Sequence, residues 1–389
     1  MRGTERFRVA LNPYRQDSVP AALVPPRAAD AFTFHRSLPG YRQTPLLALP
    51  ALAAECGLRT LWVKDEGRRF GLDAFKALGA SWAIHRVMSH RGSGARVTFA
   101  TATDGNHGRA VAWTARMLRQ KAVIFVPRNT APARITAIRR EGAEVVVVDG
   151  NYDDAVRRAA SESAARGWQV ISDTAYPGYV DIPRWIMAGY ETIFAEATEQ
   201  LDAAAGGSPT AVLLQAGVGG LACAGVCFYS RRGGESRPRV AAVEPTDADC
   251  LLESIASPGG EIREGRGGQC SIMAGLNCGT PSLAAWPMLR AGIDLFLAVD
   301  DGFAEEAMRR LASGHGGDPR IVAGESGAAG LAGLLALCRE PALGQARQAM
   351  GLGPASRVLL VNTEGATDPA GYRRIVGVAP DRVGVQAAC

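Results

Sequence analysis

Residues 96–126, RVTFATATDGNHGRAVAWTARMLRQKAVIFV, decide the fold class of this chain. The segment opens with a short apolar run at 96–100, passes through a polar turn into a helical pattern at 104–120, and closes with a second apolar run at 122–126. Two short apolar runs separated by a helix are typical of parallel strands joined by a crossover helix. The segment therefore predicts an α/β fold with a parallel sheet.

The same alternation continues along the chain. A helical pattern at 131–141 leads into a third apolar run at 144–148, and another helical pattern follows at 152–165. Further strands are predicted at 170–172, 211–215, 240–244 and 358–361. Residues 87–175 thus form one compact series of strand and helix units.

Two segments lack apolar periodicity, and a third is rich in proline. The stretches 230–239 and 257–268 are rich in turn-forming residues and are predicted as surface loops. The first 40 residues contain five prolines, so we expect them to wrap a domain rather than form one.

The composition excludes several classes of protein. The 389 residues include 43 Lys and Arg against 38 Asp and Glu, a formal net charge of +5, and 47% are hydrophobic. The chain is too apolar for a disordered protein and too evenly charged for a dedicated nucleic-acid binder. No apolar run reaches about 18 residues, and the amino terminus lacks the apolar core of a signal peptide. We therefore expect a soluble, cytoplasmic protein without a nucleic-acid or membrane partner.

The eight cysteines stand at irregular spacings and predict no disulfide framework. Cys223 and Cys227 are four residues apart, but no second pair or nearby histidine completes a set of four ligands. We expect free, buried thiols and no metal site.

Residues 70–80, FGLDAFKALGA, place Lys76 between Phe75 and Ala77 at a predicted helix start. Burial disfavours a charged amine, so we expect a lowered pKa for Lys76 and a nucleophilic amine able to form a Schiff base. The window alone is equally compatible with a surface lysine that has apolar neighbours.

Residues 101–109, TATDGNHGR, follow the first apolar run and open a helix. A glycine-containing turn at the carboxyl end of a parallel strand exposes backbone N–H donors where α/β sheets bind ligands. Taken alone, the window is also compatible with a tight turn capped by Asp104, and His107 with a hydrogen-bonded structural role.

Residues 215–221, QAGVGGL, again follow a strand and precede a helix. Gly217, Gly219 and Gly220 let the backbone approach an anion, and the helix dipole favours one there. Because Ala222 stands where the dinucleotide fingerprint requires glycine, a single phosphate fits better than the cofactor of a nicotinamide dehydrogenase.

In this order the three windows resemble the fold type II, or tryptophan-synthase-like, family of pyridoxal-phosphate enzymes. The resemblance is stronger still to the diaminopropionate ammonia-lyase branch and extends from Phe32 to Arg373. Four motifs carry it: RFGLDAFK at 69–76, TDGNHGR at 103–109, SDTAY at 172–176 with IPRWIMAGY at 182–190, and IMAGL at 272–276. Aspartate at position 104, in place of the usual serine, is specific for the branch.

The resemblance implies an α/β fold of type II, with two three-layer αβα domains, twisted and mostly parallel sheets, and the active site in the cleft between them. It places a small domain at 87–175 and a large, discontinuous domain at 1–86 and 176–389. It also implies a homodimer and a small amino acid as substrate.

The resemblance likewise implies which residues hold pyridoxal phosphate. Lys76 would bind the cofactor covalently, Asn106 would hydrogen-bond the pyridoxal hydroxyl, and Thr363 would face the pyridine nitrogen. A hydroxyl partner leaves that nitrogen largely unprotonated, which weakens the electron sink and suits a fast β-elimination. The phosphate would lie against Gly217, Val218, Gly219, Gly220 and Leu221. Glu325 resembles a family glutamate near the cofactor.

The implied reaction is α,β-elimination of ammonia from 2,3-diaminopropionate, giving pyruvate and two ammonia. Lys76 would deprotonate one enantiomer and Asp104 the other, and the family's second catalytic aspartate corresponds to Asp173. An ammonium leaving group favours anionic neighbours, and two close carboxylates would raise one pKa toward the range of a base. Asp173 is also compatible with a capping role in the sequence Ser172–Asp173–Thr174.

Tyr176 stands where the branch has tryptophan, and this difference leaves the identity of the substrate undecided. The alternatives are a serine or threonine dehydratase-like enzyme and a biosynthetic enzyme of β-elimination or β-replacement. A non-catalytic protein that senses the cofactor or an amino acid is disfavoured by the presence of Lys76 with both aspartates.

Overall fold

The computed structural model describes residues 5–17, 19–20, 29–92, 94–103, 105–150, 152–231 and 237–383. The strands within these ranges are β1 (Phe7–Leu11), β2 (Leu46–Ala48), β3 (Thr60–Asp65), β4 (Thr98–Ala102), β5 (Lys121–Pro127), β6 (Glu144–Val148), β7 (Gln169–Val170), β8 (Ala211–Gln215), β9 (Arg239–Pro245), β10 (Leu295–Val299) and β11 (Arg357–Asn362). They form a seven-stranded sheet in the order β1-β10-β9-β8-β11-β3-β2 and a four-stranded sheet in the order β6-β5-β4-β7.

Both sheets are mostly parallel. In the larger sheet, β10, β9, β8, β11 and β3 are parallel neighbours, while β1 and β2 pair antiparallel at the two edges. Every pair in the smaller sheet is parallel. The predicted α/β fold with mostly parallel sheets is confirmed.

Helices follow nearly every strand. They are α1 (Ala29–Ser37), α2 (Pro50–Glu55), α3 (Lys76–Arg91), α4 (Asn106–Met117), α5 (Pro132–Arg140), α6 (Tyr152–Arg166), α7 (Asp181–Ala203), α8 (Gly220–Ser230), α9 (Cys250–Ala256), α10 (Trp286–Gly292), α11 (Asp301–Ser313), α12 (Ala329–Arg339), α13 (Gly344–Ala349) and α14 (Pro369–Val376). No helix within the described ranges has both the length and the apolar character needed to cross a bilayer.

The larger sheet is covered on both faces, which explains its continuous apolar strands. Along β8, Val212 and Leu214 belong to one apolar core, whereas the alternate residues Ala211 and Leu213 belong to the other. The first core continues through α3 and α4 to Phe99 of the smaller sheet. A shared helical layer therefore joins the two sheets and fixes the cleft between them.

The ends of β4 and α4, which lie within residues 96–126, differ slightly from the prediction. Strand β4 begins at Thr98 rather than at residue 96 and extends to Ala102, because Thr101 and Ala102 still pair with β5. Helix α4 begins at Asn106 and ends at Met117, inside the predicted 104–120. Strand pairing and the polar turn, rather than the apolar pattern alone, set these ends.

The amino-terminal segment contributes more than the predicted wrapping. Its residues Phe7–Leu11 form β1, an antiparallel edge strand on β10. Arg8 anchors this strand through ion pairs with Asp249 and Glu253. The apolar pattern did not reveal β1, because an edge strand buries only part of its surface.

The strands of the smaller sheet all lie within the predicted small domain, 87–175. The division of the chain into two domains stays a prediction. Of the predicted loops, 257–268 contains only a short 3₁₀ turn at Pro258–Gly260, whereas residues 232–236 of the other loop lie outside the described residues.

Candidate active site

A single pocket collects most of the residues singled out in the sequence. Its lining includes Lys76, Asn106, Asp173, Gly217, Val218, Gly219, Gly220, Leu221 and Thr363. These residues follow β3, β4, β7, β8 and β11 along the chain, so they lie at the carboxyl ends of parallel strands from both sheets. This is the edge at which open α/β sheets bind their ligands.

Lys76 forms an ion pair at the centre of the pocket. Its Nζ donates a hydrogen bond to Asp173 Oδ2 at 2.6 Å. The two side chains are only 20% and 15% exposed, respectively. The ring centroids of Phe75 and Tyr190 lie 5.4 and 5.9 Å from Nζ. The amine is thus held in one orientation by a carboxylate and two aromatic rings.

The expected lowered pKa of Lys76 is wrong for the cofactor-free protein. Burial lowers the pKa of Lys76, but the negative charge of Asp173 and their hydrogen bond outweigh burial and raise it above its usual value. Burial raises the pKa of Asp173, but the charge of Lys76 and their hydrogen bond outweigh burial and hold it well below its usual range. Both groups are therefore ionised at neutral pH.

His107 lies beside Asp173 and is hydrogen-bonded to the backbone two residues before it. Its Nε2–H donates to the carbonyl oxygen of Ile171 at 2.8 Å, because a carbonyl can only accept. Its Nδ1 faces Asp173 Oδ2 at 3.9 Å and has no hydrogen-bond partner among the described residues. Burial lowers the pKa of His107. The imidazole is thus a largely neutral, hydrogen-bonded support for the Asp173 segment.

A buried ionic network fixes the loop that leads to Lys76. Arg69 is 1% exposed and forms ion pairs with Glu66 at 2.7 Å and with Glu196 at 2.8 Å. Glu196 also pairs with the buried Lys64. After Arg69, the backbone passes through left-handed conformations at Phe70 and Asp73. These strained turns persist because the network on one side and α3 on the other hold the loop.

The glycine loop leaves room for an anion at the start of α8. Gly219 has a φ of 94°, and a Cβ at this position would overlap Leu289 Cδ1. A Cβ at Gly217 would lie 2.8 Å from Cys278 Sγ. A side chain would therefore be crowded at both positions and strained at Gly219, and the residues at the N-terminus of α8, where backbone N–H groups favour an anion, line the pocket.

Asn106 is held by a residue that the sequence analysis did not assign. Its Nδ2 donates a hydrogen bond to Glu364 Oε2. The other carboxylate oxygen, Oε1, accepts from the backbone N–H of Ser326 at 3.1 Å. Glu364 stands directly after Thr363 in the sequence, but only the fold shows that it reaches across to the turn after β4.

Thr363 is oriented by Gln215. The Nε2 of Gln215 donates to Thr363 Oγ1 at 3.0 Å, and both side chains are buried. Because the Thr363 oxygen accepts this bond, its own proton is available to an acceptor in the pocket. Gln215 opens the quoted window 215–221, yet its role was not apparent from the sequence.

Of the predicted residues, Asp104 and Glu325 are not among those that line the pocket in the described ranges. Asp104 lies outside the described residues, so its predicted role stays a prediction. Glu325 lines a neighbouring cavity of about 390 Å³ instead. It is 4% exposed, and burial, together with the charge of Glu364, raises its pKa to about 7. The assignment of Glu325 to the cofactor also stays a prediction.

The donor set of the pocket fits pyridoxal phosphate. Lys76 supplies an amine, the glycine loop supplies backbone donors without side chains, and Thr363 supplies a hydroxyl whose proton is free to donate. Asn106 supplies an amide beside the lysine. These are the groups needed for an aldehyde, a phosphate, a pyridine nitrogen and a phenolic oxygen.

Comparison with known proteins agrees with this chemistry. A family model described as "Pyridoxal-phosphate dependent enzyme" matches residues 37–367. Diaminopropionate ammonia-lyase of Escherichia coli K12 is 42% identical over 358 residues, which cover 88% of this chain and 89% of that protein. The Salmonella typhimurium enzyme of the same name is 39% identical, over 89% of this chain and 91% of its own.

A solved structure shows the same likeness in three dimensions. The Escherichia coli diaminopropionate ammonia lyase, in complex with an "aminoacrylate-PLP azomethine reaction intermediate", superposes with a TM-score of 0.88 and 40% identity. The match covers 95% of this chain and 96% of that one. With the lysine, the glycine loop and the aspartate in one pocket, the chain belongs to the diaminopropionate ammonia-lyase family of pyridoxal-phosphate-dependent enzymes.

Proposed function

We propose that this protein is a carbon–nitrogen lyase that eliminates ammonia from 2,3-diaminopropionate, giving pyruvate and two ammonia. The observation that carries the proposal is the Lys76–Asp173 ion pair, with 2.6 Å between Nζ and Oδ2, inside a pocket that fits pyridoxal phosphate. A buried carboxylate suits a substrate whose leaving group is a cation. The likeness to the enterobacterial ammonia-lyases supports the same substrate.

Several residues would hold the cofactor. Lys76 anchors it covalently, the loop from Gly217 to Leu221 takes the phosphate, and Thr363 donates to the pyridine nitrogen. When bound, pyridoxal phosphate supplies the electron sink that makes the α-carbon of an amino acid acidic. The buried hydrogen bonds of Asn106 to Glu364 and of Thr363 to Gln215 keep these contacts in place.

The protein's own groups then move the protons. In its unprotonated form, the amine of Lys76 at the centre of the pocket would accept the α-proton of one enantiomer. Asp173 holds the β-ammonium of the substrate with the carboxylate that held Lys76, and so places the leaving group. We propose that Asp104 accepts the α-proton of the other enantiomer from the opposite face.

The deciding experiment measures product stoichiometry. Purified holoenzyme is supplied with each enantiomer of 2,3-diaminopropionate, with serine, threonine and O-acetylserine in parallel, and pyruvate and ammonia are quantified. We expect two ammonia per pyruvate from the diamine. Turnover confined to serine, threonine or O-acetylserine would reject the proposal in favour of a dehydratase-like or β-replacement enzyme.

An Asp104→Ser variant tests the residue that distinguishes this branch. We expect the variant to lose activity on at least one enantiomer of 2,3-diaminopropionate. Undiminished activity on both enantiomers would remove Asp104 from the mechanism without affecting the proposed substrate.

We further propose a cytoplasmic homodimer. The resemblance to the family supports the dimer, and the described cysteines, all of which are free thiols, support a reducing compartment. Sedimentation equilibrium of the holoenzyme tests the first point, and fractionation of the source cells tests the second.

A further inference from the structure

Glu364 is a buried carboxylate that makes contacts on both sides of the active-site cleft. It follows β11 of the larger sheet and is 1% exposed. Its Oε2 accepts hydrogen bonds from Asn106 Nδ2 and, at 3.2 Å, from Thr367 Oγ1, and its Oε1 accepts from the backbone N–H of Ser326 at 3.1 Å. Three donors thus converge on this side chain, and one of them, Asn106, follows β4 of the smaller sheet.

The backbone around Glu364 is fixed to the segment that leads to the catalytic lysine. Two backbone hydrogen bonds, of 3.1 and 2.9 Å, join the segment 363–365 to the segment 73–75. Between these bonds, Glu364 forms an antiparallel bridge with Ala74. Lys76 follows the segment 73–75 directly in the chain. The position of Glu364 is therefore tied to that of Lys76.

The contact with Glu364 also fixes the orientation of the Asn106 amide. Because the carboxylate of Glu364 accepts the hydrogen bond, the amide nitrogen of Asn106, and not its oxygen, points toward it. This bond uses one of the two N–H groups of the amide, so the second can donate to a ligand. Asn106 lines the pocket together with Lys76. The amide is thus held in one of its two possible orientations.

Pyridoxal phosphate places a geometric requirement on these two residues. Its aldehyde and its phenolic hydroxyl are attached to adjacent ring carbons. The groups that bind them, Lys76 and Asn106, must therefore keep a fixed spacing, although they follow strands of different sheets. Glu364 is connected to both, through its backbone to the segment before Lys76 and through its side chain to Asn106.

We propose that Glu364 is a positioning residue that sets the spacing between Asn106 and Lys76 and turns the Asn106 amide donor toward the pyridoxal hydroxyl. The inference rests on the contact of Asn106 with the cofactor in the proposed function, but not on the identity of the substrate. We expect the effect of Glu364 on the cofactor to pass through Asn106.

The test is a double-mutant cycle on the binding of pyridoxal phosphate to the cofactor-free protein. Glu364→Met removes the acceptor and keeps a long side chain, Asn106→Ala removes the amide, and a third protein carries both changes. Glu364→Gln keeps an acceptor oxygen at a similar position. Glu144→Ala is the control, because Glu144 is exposed at the amino-terminal end of β6, away from the strand ends that carry the pocket. Fluorescence titration gives Kd, and the absorption maximum of the bound cofactor provides a spectroscopic readout.

We expect Glu364→Met and Asn106→Ala each to raise Kd by about 5- to 30-fold, since each removes a buried hydrogen bond. Both changes should shift the absorption maximum in the same direction. The double variant should bind within about twofold of Asn106→Ala, because the two residues act as one unit. Glu364→Gln should stay within about threefold of the wild type, since it loses only the charge of the hydrogen bond.

Asn106→Asp provides a second test that does not depend on the folding of Glu364→Met. It removes the donor and places a second carboxylate against Glu364, so Kd should rise more than in Asn106→Ala. Combining Asn106→Asp with Glu364→Gln removes this repulsion and should recover part of the affinity. An absence of recovery would mean that the two side chains are not coupled.

Two further results would overturn the inference. Losses that multiply in the double variant would show that Glu364 acts through Ser326 or Thr367, and an unchanged Kd and absorption maximum in Glu364→Met would give it no positioning role. An unchanged Kd in Asn106→Ala would reject both the contact of Asn106 with the cofactor and the inference. Coupled variants of an enzyme that releases no pyruvate from 2,3-diaminopropionate would reject the proposed substrate and leave the role of Glu364 intact.

Discussion

Asp173 Oδ2 lies 2.6 Å from Lys76 Nζ, and this bond joins the two sheets of the protein. Lys76 begins the helix after β3 in the larger sheet, whereas Asp173 follows β7 in the smaller one. The amine of Lys76 is therefore positioned by a carboxylate from the opposite side of the cleft. Any substrate that takes the place of Lys76 beside Asp173 contacts both sides of the active site.

Replacing Asp173 by asparagine should change the pH at which the cofactor is taken up. The charge of Asp173 raises the pKa of Lys76, and its removal leaves burial, which lowers that pKa. Cofactor capture needs the unprotonated amine, so its rate in the wild type should rise toward high pH. In Asp173→Asn the rise should move to lower pH, with a rate gain of at least about tenfold at pH 7. Stopped-flow absorbance of the cofactor-free protein mixed with pyridoxal phosphate measures this rate.

The same variant should lose elimination activity. If Asp173 holds the β-ammonium, kcat/KM for 2,3-diaminopropionate should fall by about 10²- to 10⁴-fold even though the cofactor is bound. Asp173→Glu should recover little, because an additional methylene moves the carboxylate away from its present position. Normal elimination activity of Asp173→Asn would show that Asp173 only positions the Lys76 side chain and takes no part in elimination.

Lys76→Ala should lose the visible absorption band of the covalently held cofactor. The variant should still bind the phosphate through the glycine loop, because Gly217, Gly219 and Gly220 are unaffected. Pyruvate formation should fall by at least roughly 10³-fold, since both the anchor and a proton acceptor are removed. Absorption spectra and equilibrium dialysis separate the loss of the covalent bond from a loss of binding. A retained visible band would refute the anchor role.

The extent to which the sequence predicted the site depends on how local each signal is. Lys76, Asn106 and the glycine loop were identified because each stands in a short motif at the end of a predicted strand. The direction of the Lys76 pKa was wrong, because its apolar sequence neighbours are visible in the chain but Asp173, 97 residues away, is not. Glu364 was missed for the same reason, since it contacts Asn106, which is distant in sequence.

How well the fold could be predicted likewise depends on how local each signal is in the sequence. The parallel strands have both faces covered, so their apolar runs are continuous and easily recognised. Strand β1 is an antiparallel edge whose pairing with β10, nearly 300 residues away, has no local signal. The ends of β4 are decided by its pairing with β5, which the apolar pattern of 96–100 does not contain.

The effect of the Thr363 hydroxyl on activity should be separable from the effect of the side-chain volume. Thr363→Val keeps the shape but removes the donor toward the pyridine nitrogen and leaves Gln215 Nε2 without this acceptor. We expect kcat for elimination to fall by about 5- to 30-fold, which corresponds to one buried hydrogen bond. Thr363→Ser keeps the hydroxyl and should retain most of the activity. Equal losses in both variants would indicate a packing effect, and steady-state kinetics of the two distinguishes the cases.

Glu325 should make the protein less stable as the pH rises from about 4.5 to about 7. Its pKa in the folded protein is raised to about 7 from the model-compound value of 4.5. The folded state therefore favours the protonated form, and a penalty develops as the pH rises from about 4.5 to 7 and stays constant above. The penalty is roughly 3 kcal/mol at most. Glu325→Gln should remove this pH dependence, as measured by urea unfolding of the cofactor-free protein from pH 5 to pH 8, and an unchanged pH profile would contradict the assignment.

Gly219→Ala should weaken the binding of the phosphate more than it weakens the fold. The residue has a φ of 94°, and the added Cβ would overlap Leu289 Cδ1, so the loop must shift away from its present course. A left-handed alanine costs about 1 to 2 kcal/mol, and the displaced N–H groups should reduce cofactor affinity by about 10- to 100-fold. Gly353→Ala is the matched control, because a Cβ there meets nothing within 4 Å. Fluorescence titration with pyridoxal phosphate compares the two variants, and equal affinities would place the phosphate elsewhere in the pocket.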